Sequence, residues 1–185
     1  MSTLREYEQQ NAESSPWSIA QRIKMLAWEY CWILFCVWTP KPMNIWRCFW
    51  LKLFGAKLIG KPFVHQRARI QIPWNVELRD KSCVGDRANL YSLDKIVLQE
   101  GATVAQEVYL CTGTHAFVKE SMNLITSPIV IRKNVFVGAR AFVMPGVVIN
   151  EDAVVAAMTV VTKMVPSGAV VAGNPGKVIK QRAQL

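Results

Sequence analysis

At 185 residues, 51% of them hydrophobic, the chain has the material for one domain with an appendage and is too short for two full domains. Its formal charge of +9 fits nucleic acid, an anionic membrane or a phosphorylated small molecule, since each rewards Lys and Arg by the same attraction. The five cysteines, at 31, 36, 48, 83 and 111, form no CxxC pair and are odd in number, which argues against a disulfide framework and predicts reduced thiols in a cytoplasmic protein.

The first sixteen residues, "MSTLREYEQQNAESSP", are polar where an export signal would be basic and then apolar, so residues 1–16 are expected to be a polar tail without an export function. Residues 17–60 differ in kind and hold six of the seven tryptophans. "MLAWEYCWILFCVW", Met25 to Trp38, is apolar apart from Glu29 and falls short of the roughly 20 residues that span a bilayer. "TPKP" ends that helix, and "MNIWRCFWLKLFGAK" reads as a second one, with Trp46, Phe49, Trp50, Leu53 and Phe54 at three- and four-residue spacing. The resulting hairpin has two readings. It caps the rest of the protein, or it rests on a membrane surface with Lys41, Arg47, Lys52 and Lys57 turned toward anionic headgroups.

From residue 61 the chain acquires a six-residue period. Ile131, Val137, Val143, Ile149, Val155 and Val161 are aliphatic, and the residue four places after each is small or β-branched. No helix produces that spacing, whereas a short strand plus a tight turn does, with three repeats closing one triangular coil. Gly138 and Ala156 follow the inward aliphatic residue, where a side chain would crowd the corner. The same period is read through Ile72, Leu78, Val84 and Leu90, slips by two residues near "SLD", and resumes at Leu98, Val104 and Leu110. From Leu110 to Ile131 the spacing is not a multiple of six, so a segment must leave the coil. "HAFVKESMNLITSP" is that segment, a loop over 116–128 that departs directly after His115. An isolated histidine is usually structural, but one placed where a regular coil is broken becomes a candidate for chemistry. His65, in "FVHQRA", keeps a structural role.

The ordered set "TPKPMNIWRCFWLKLFGAK", "VGDRANLYSL", "YLCTGTHAF", "LITSPIVI" and "VVTKMVPSGAVVAGNPGKVIK" resembles the hexapeptide-repeat O-acetyltransferases of bacterial exopolysaccharide synthesis, the colanic acid acetyltransferase group. The resemblance runs from about Pro16 to Arg182. It implies a left-handed parallel β-helix over 61–165 behind the helical hairpin, with 166–185 as a loop on the cofactor side and a basic tail. The hand comes from the resemblance alone, because parallel crossovers are otherwise nearly always right-handed. It further implies a homotrimer, acetyl-CoA as co-substrate in the groove between neighbouring prisms, and no metal.

Carried over position by position, His115 matches the family's catalytic base. Gly138 and Ala156 match small positions along the pantetheine arm, and Thr162 and Lys163 match positions at the coenzyme A end. In "AGNPGKVIKQR", Asn174 and Pro175 turn the chain back, and Lys177, Lys180 and Arg182 are cations suited to phosphates. Asn89 and Tyr91, one coil before His115, are candidates for acceptor contacts or ordinary corner residues. Ala116 stands where the family commonly has an acidic residue; Glu107 and Glu120 are possible substitutes as partners of His115. The implied reaction is acetyl transfer to a hydroxyl of a sugar in surface glycan synthesis, in the cytoplasm or at the inner face of the membrane. The alternatives are an amino acid or antibiotic acceptor, or a non-catalytic trimeric scaffold. Nucleic acid is disfavoured by dispersed cations without a stacking motif, and a zinc site of three histidines by the presence of two.

Overall fold

The computed structural model describes residues 4–8, 15–116 and 123–182. Its body is a left-handed parallel β-helix, a triangular prism with three walls of stacked strands. The first wall holds Lys57–Leu58, Val76–Leu78, Ile96–Leu98, Ile129–Ile131 and Val148–Ile149. The second runs from Phe63–Val64 through Cys83–Val84, Thr103–Val104, Phe136–Val137 and Val154–Val155 to Ala169–Ala172. The third stacks Arg69–Ile70, Asn89–Tyr91, Tyr109–Cys111, Phe142–Val143 and Val160–Val161.

Each wall sends one column of aliphatic side chains inward. The column Ile70, Leu90, Leu110, Val143, Val161 is buried throughout, as are the corner residues Val135, Ala141, Val147, Ala153, Thr159 and Val165. At roughly 1.5–3 kcal/mol per fully buried aliphatic side chain, this filling is what holds coils of two- and three-residue strands together. The register corrects one early position. Ile70, not Ile72, occupies the inward column, and Ile72 turns into a separate small cluster with Leu93 and Leu124. The slip read near "SLD" therefore has a twin one coil earlier, because Ile70 and Leu90, like Leu90 and Leu110, stack twenty residues apart, whereas Val143 and Val161 stack eighteen apart. The extra residues sit at one corner, from the third wall to the first, and fold as a short 3-10 turn at Pro73–Asn75 in the first coil.

Two helices cover the open end of the prism. Helix α1, Ile19–Phe35, starts at a capping box in which Ser18 Oγ accepts the Gln21 N–H and Gln21 Oε1 accepts the Ser18 N–H. Helix α2, Asn44–Leu53, ends ahead of Gly55, whose φ of +94° suits glycine. Trp28, Trp32, Cys36 and Leu51 join the main core. The first coil has no neighbour on its outer edge, and the helices satisfy it instead. Trp28 Nε1 donates to the Ile70 carbonyl at 2.7 Å, Asn44 donates to the Pro62 carbonyl and accepts from the Val64 N–H, and Arg47 Nε donates to the Val64 carbonyl at 2.8 Å.

Arg47 is thus a correction: expected among the outward cations, it is fully buried. Its remaining donors meet Thr39 Oγ1 and the carbonyls of Pro40 and Lys41, so it ties the inter-helix turn, α2 and the coil edge together. The five cysteines are unpaired, and burial pushes the Cys36 thiol up to about 12.

Candidate functional site

The twenty-residue corner is where the site is built. In the first two coils it is braced by polar groups: Ser92 Oγ accepts the Ile72 N–H and donates to the Ile72 carbonyl, and Asn75 Nδ2 donates to the Ser92 carbonyl. In the third coil the chain leaves the wall altogether. Thr112 is the pivot, its hydroxyl donating to the Tyr91 carbonyl at 2.6 Å and accepting the Asp94 N–H, while its carbonyl takes the Ser127 N–H that closes the base. Gly113–His115 and Leu124–Thr126 then pair antiparallel as an extruded arm, and the coil resumes where the Ile129 N–H reaches the Lys95 carbonyl.

The departure therefore begins before His115, not directly after it. His115 is the last residue of the outgoing strand, opposite Leu124, and is exposed. Ala116, buried next to it, donates its N–H to the Asn123 carbonyl and continues the ladder. Residues 117–122, including Glu120, lie outside the described residues. Glu107 does not serve His115: it sits at the opposite end of the third wall, bound to Arg140 at 2.6 Å, and that guanidinium holds its carboxyl below the ordinary range.

The N-terminal segment is not merely a tail. Arg5–Tyr7 forms a third strand on the arm, antiparallel to Leu124–Thr126, and Tyr7 stacks obliquely on Trp17 ahead of α1. Asp94, 3% exposed, lies at the arm's base, where its carboxylate accepts from the Lys95 N–H and the Thr126 hydroxyl, with Arg5 Nη1 at 3.9 Å. Sequence reasoning missed Asp94, Thr112 and Arg5. The "SLD" slip was the available signal, since a polar residue at an inserted corner has backbone to satisfy.

Tyr91 pairs with Cys111 at the root of the arm, with burial raising its phenol, and packs beside Leu93 and Ile72; Asn89 lies two residues away on the same wall, opposite Tyr109. Thr162 and Lys163 occupy the arm's own corner, after Val160–Val161, two coils beyond it and so about 10 Å along the prism at the usual inter-strand spacing. Gly138 and Ala156 stack at the neighbouring corner, between the second wall and the third. A Cβ on Gly138 would lie 2.7 Å from the Ala157 nitrogen, so close coil stacking alone demands glycine there.

The last strand turns back as expected, but as ordered structure rather than a loose tail. Gly173 and Gly176 bracket Asn174 and Pro175, exchange hydrogen bonds with Val160, and lead into Lys177–Gln181, antiparallel to Ala169–Ala172. Within one chain the candidates thus fall on two neighbouring corners flanking the third wall: His115, Thr162 and Lys163 on one, Gly138, Ala156, Asn174 and Pro175 on the other. Lys177 and Lys180 follow along the second wall. Among the described residues no three His, Cys, Asp or Glu side chains converge as metal ligands, and a cavity of about 680 Å³ lies elsewhere, under α1. His65 is buried at the second corner, with Nδ1 3.0 Å from Asp86; desolvation lowers its pKa against the opposing pull of that carboxylate.

Residues 128–163 match the model of the bacterial transferase hexapeptide, six repeats. Over 162 residues the chain is 35% identical to WcaF of Escherichia coli K12, named for colanic acid biosynthesis as an acetyltransferase, covering 88% of this chain and 89% of that one. In fold it is similar to a maltose O-acetyltransferase from Clostridium difficile 630 (TM-score 0.76, 24% identity, 90% of each chain). It is equally similar to a galactoside acetyltransferase solved with coenzyme A (TM-score 0.76, 19% identity, 90% of this chain and 84% of that one). With the same fold and a relative 35% identical over nearly its whole length, the chain belongs to the hexapeptide-repeat acetyltransferases, in the colanic acid biosynthesis acetyltransferase group.

Proposed function

We propose that the protein transfers an acetyl group from acetyl-CoA to a hydroxyl of a sugar during surface glycan synthesis, working in the cytoplasm as a homotrimer. The observation that carries this reading is His115, exposed at the end of a braced arm, on the corner that also carries Thr162 and Lys163. A neutral imidazole takes the proton of the acceptor hydroxyl as its oxygen attacks the thioester carbonyl, and the imidazolium returns that proton to the departing sulfur. The chain's own contribution is to brace the arm that carries His115: Thr112 and Asp94 tie its base, and the Arg5–Tyr7 strand pairs along its returning strand.

Coenzyme A suits the other candidates by chemistry. The small residues Gly138 and Ala156 match the family positions along a pantetheine chain, and Lys163, Lys177 and Lys180 are exposed cations suited to phosphates. Because these groups sit on two corners of one prism, a neighbouring prism facing the third wall would bring them to one ligand, which supports the trimer. Asn89 and Tyr91 are the acceptor-side candidates, Tyr91 through the arm's root.

Thiol release from acetyl-CoA, measured with the purified chain across a panel of sugar, amino acid and antibiotic acceptors, tests the reading. His115→Ala is expected to lose at least about two orders of magnitude in turnover while still binding acetyl-CoA. Lys163→Ala and Lys177→Ala should raise KM for acetyl-CoA more than they lower kcat, because phosphate contacts act alike in ground and transition states. Failure of the wild-type chain to bind acetyl-CoA would leave a trimeric scaffold instead.

A further inference from the structure

The outer surface of the helical hairpin is apolar and uncovered. While Trp28 and Trp32 face the core, Ile19, Ile23, Leu26, Ile33 and Leu34 line the opposite side of α1, with Ile19 75% exposed. At the tip and on α2 the surface continues through Trp38 (67%), Ile45 (84%) and Phe49. No helix among the described residues is long and apolar enough to cross a membrane. We propose that this face docks flat on an anionic phospholipid bilayer.

Three observations choose that occupant. First, residues 17–60 contain six cations and a single carboxylate, Glu29; Arg47 is buried and Lys57 is paired with Glu77, while Arg22, Lys24, Lys41 and Lys52 are exposed. Pairing this face with a second copy would bring like charges together, whereas anionic headgroups are drawn to it. Second, the exposed indoles have already spent their polar ends: Trp38 Nε1 donates to the Leu34 carbonyl at 2.7 Å and Trp46 Nε1 to the Phe35 carbonyl at 2.8 Å. Those rings can enter the interfacial region without stranding a donor.

Third, the stripe runs into the cavity under α1. Leu26, Ile33 and Val37 belong to both; on the coil side Arg69 and Arg87, neither in an ion pair among the described residues, border the same space, with Glu29 on the helix side. An apolar wall facing guanidinium groups fits the acyl chain and phosphate of one phospholipid. The proposal does not depend on the acetyl-transfer reading, and its readout is binding alone.

The test is co-sedimentation of the full chain with vesicles of phosphatidylcholine and of phosphatidylcholine with phosphatidylglycerol, at low and high salt. Binding to the anionic vesicles is expected, weakening as salt screens the cations. Ile23→Glu with Ile45→Glu should reduce it by at least about tenfold, and Arg69→Gln with Arg87→Gln by several-fold. Both pairs lie on the surface, and a melting curve identifies a variant that fails to fold. Independently of any variant, brominated lipid should quench part of the wild-type tryptophan emission. No binding to anionic vesicles at any salt, unchanged binding by the Ile23/Ile45 variant, or a variant that alters only the oligomeric state would overturn the proposal, the last in favour of a second copy on this face.

Discussion

The two halves of the prism obey different rules. In the later coils the turns are tight and successive coils stack eighteen residues apart, closing to sixteen between Val155 and Val171. In the earlier coils the stacking interval is twenty, one corner is relaxed, and side-chain hydrogen bonds from Ser92, Asn75, Thr112 and Asp94 replace what regular turns would supply. The open end of that half is closed by helices rather than by another coil. A solenoid can be varied only where its repeat is already loosened, and the arm carrying His115 grows from that place.

The sharpest way to break the comparison is at the cap. Arg47→Ala removes the donors that the buried Val64 carbonyl and Thr39 hydroxyl and the carbonyls of Pro40 and Lys41 receive from the guanidinium, and empties a fully buried position, so it is expected to cost about 3–5 kcal/mol in urea unfolding. Arg47→Lys should fall between that variant and wild type, since one ammonium cannot reach all four acceptors. A loss below about 1 kcal/mol for Arg47→Ala would mean that the early coils do not depend on the cap.

A pair of glycines sharpens the contrast between the corners. Gly138→Ala forces a methyl to within 2.7 Å of backbone in the regular half and should destabilise by about 1–3 kcal/mol. The methyl of Gly113→Ala would meet the ends of Leu93 and Tyr91 side chains, which can move, so the expected cost is under about 1 kcal/mol. Equal losses would deny that the relaxed corner is more tolerant than the regular one.

The smallest effect is expected from His65. Burial in the folded state depresses its pKa below the ordinary 6.5, so the unfolded chain takes up this proton first as pH falls. Stability from this source is complete above pH 6.5 and declines below it toward the folded value. The melting temperature should fall by no more than about a few degrees between pH 7.5 and 5.5, and His65→Gln should remove that increment. An unaltered pH dependence in the variant would assign the decline to other groups.

Much of the coil was legible because a six-residue period leaves an inward aliphatic residue and a small corner residue in every repeat, from Ile131 through Val161. His115 stood out because it lies where that period fails. The Ile72 column was misread because Ile70 and Ile72 are both aliphatic and two apart, and only stacking against Leu90 distinguishes them. Arg47 was misplaced because a cation near a tryptophan-rich segment looks the same in sequence whether it meets headgroups or buried carbonyls.

Sequence alone determined the period, the break and the break's histidine, since each depends on residues close together in the chain. Tertiary structure decided what holds them. Arg5–Tyr7 pairs with Leu124–Thr126 across more than a hundred residues, and Asp94 meets Thr126 across thirty-two. No local pattern encodes those contacts, because they arise only when the coils, stacked by burial of their aliphatic columns, bring one corner of successive turns into line.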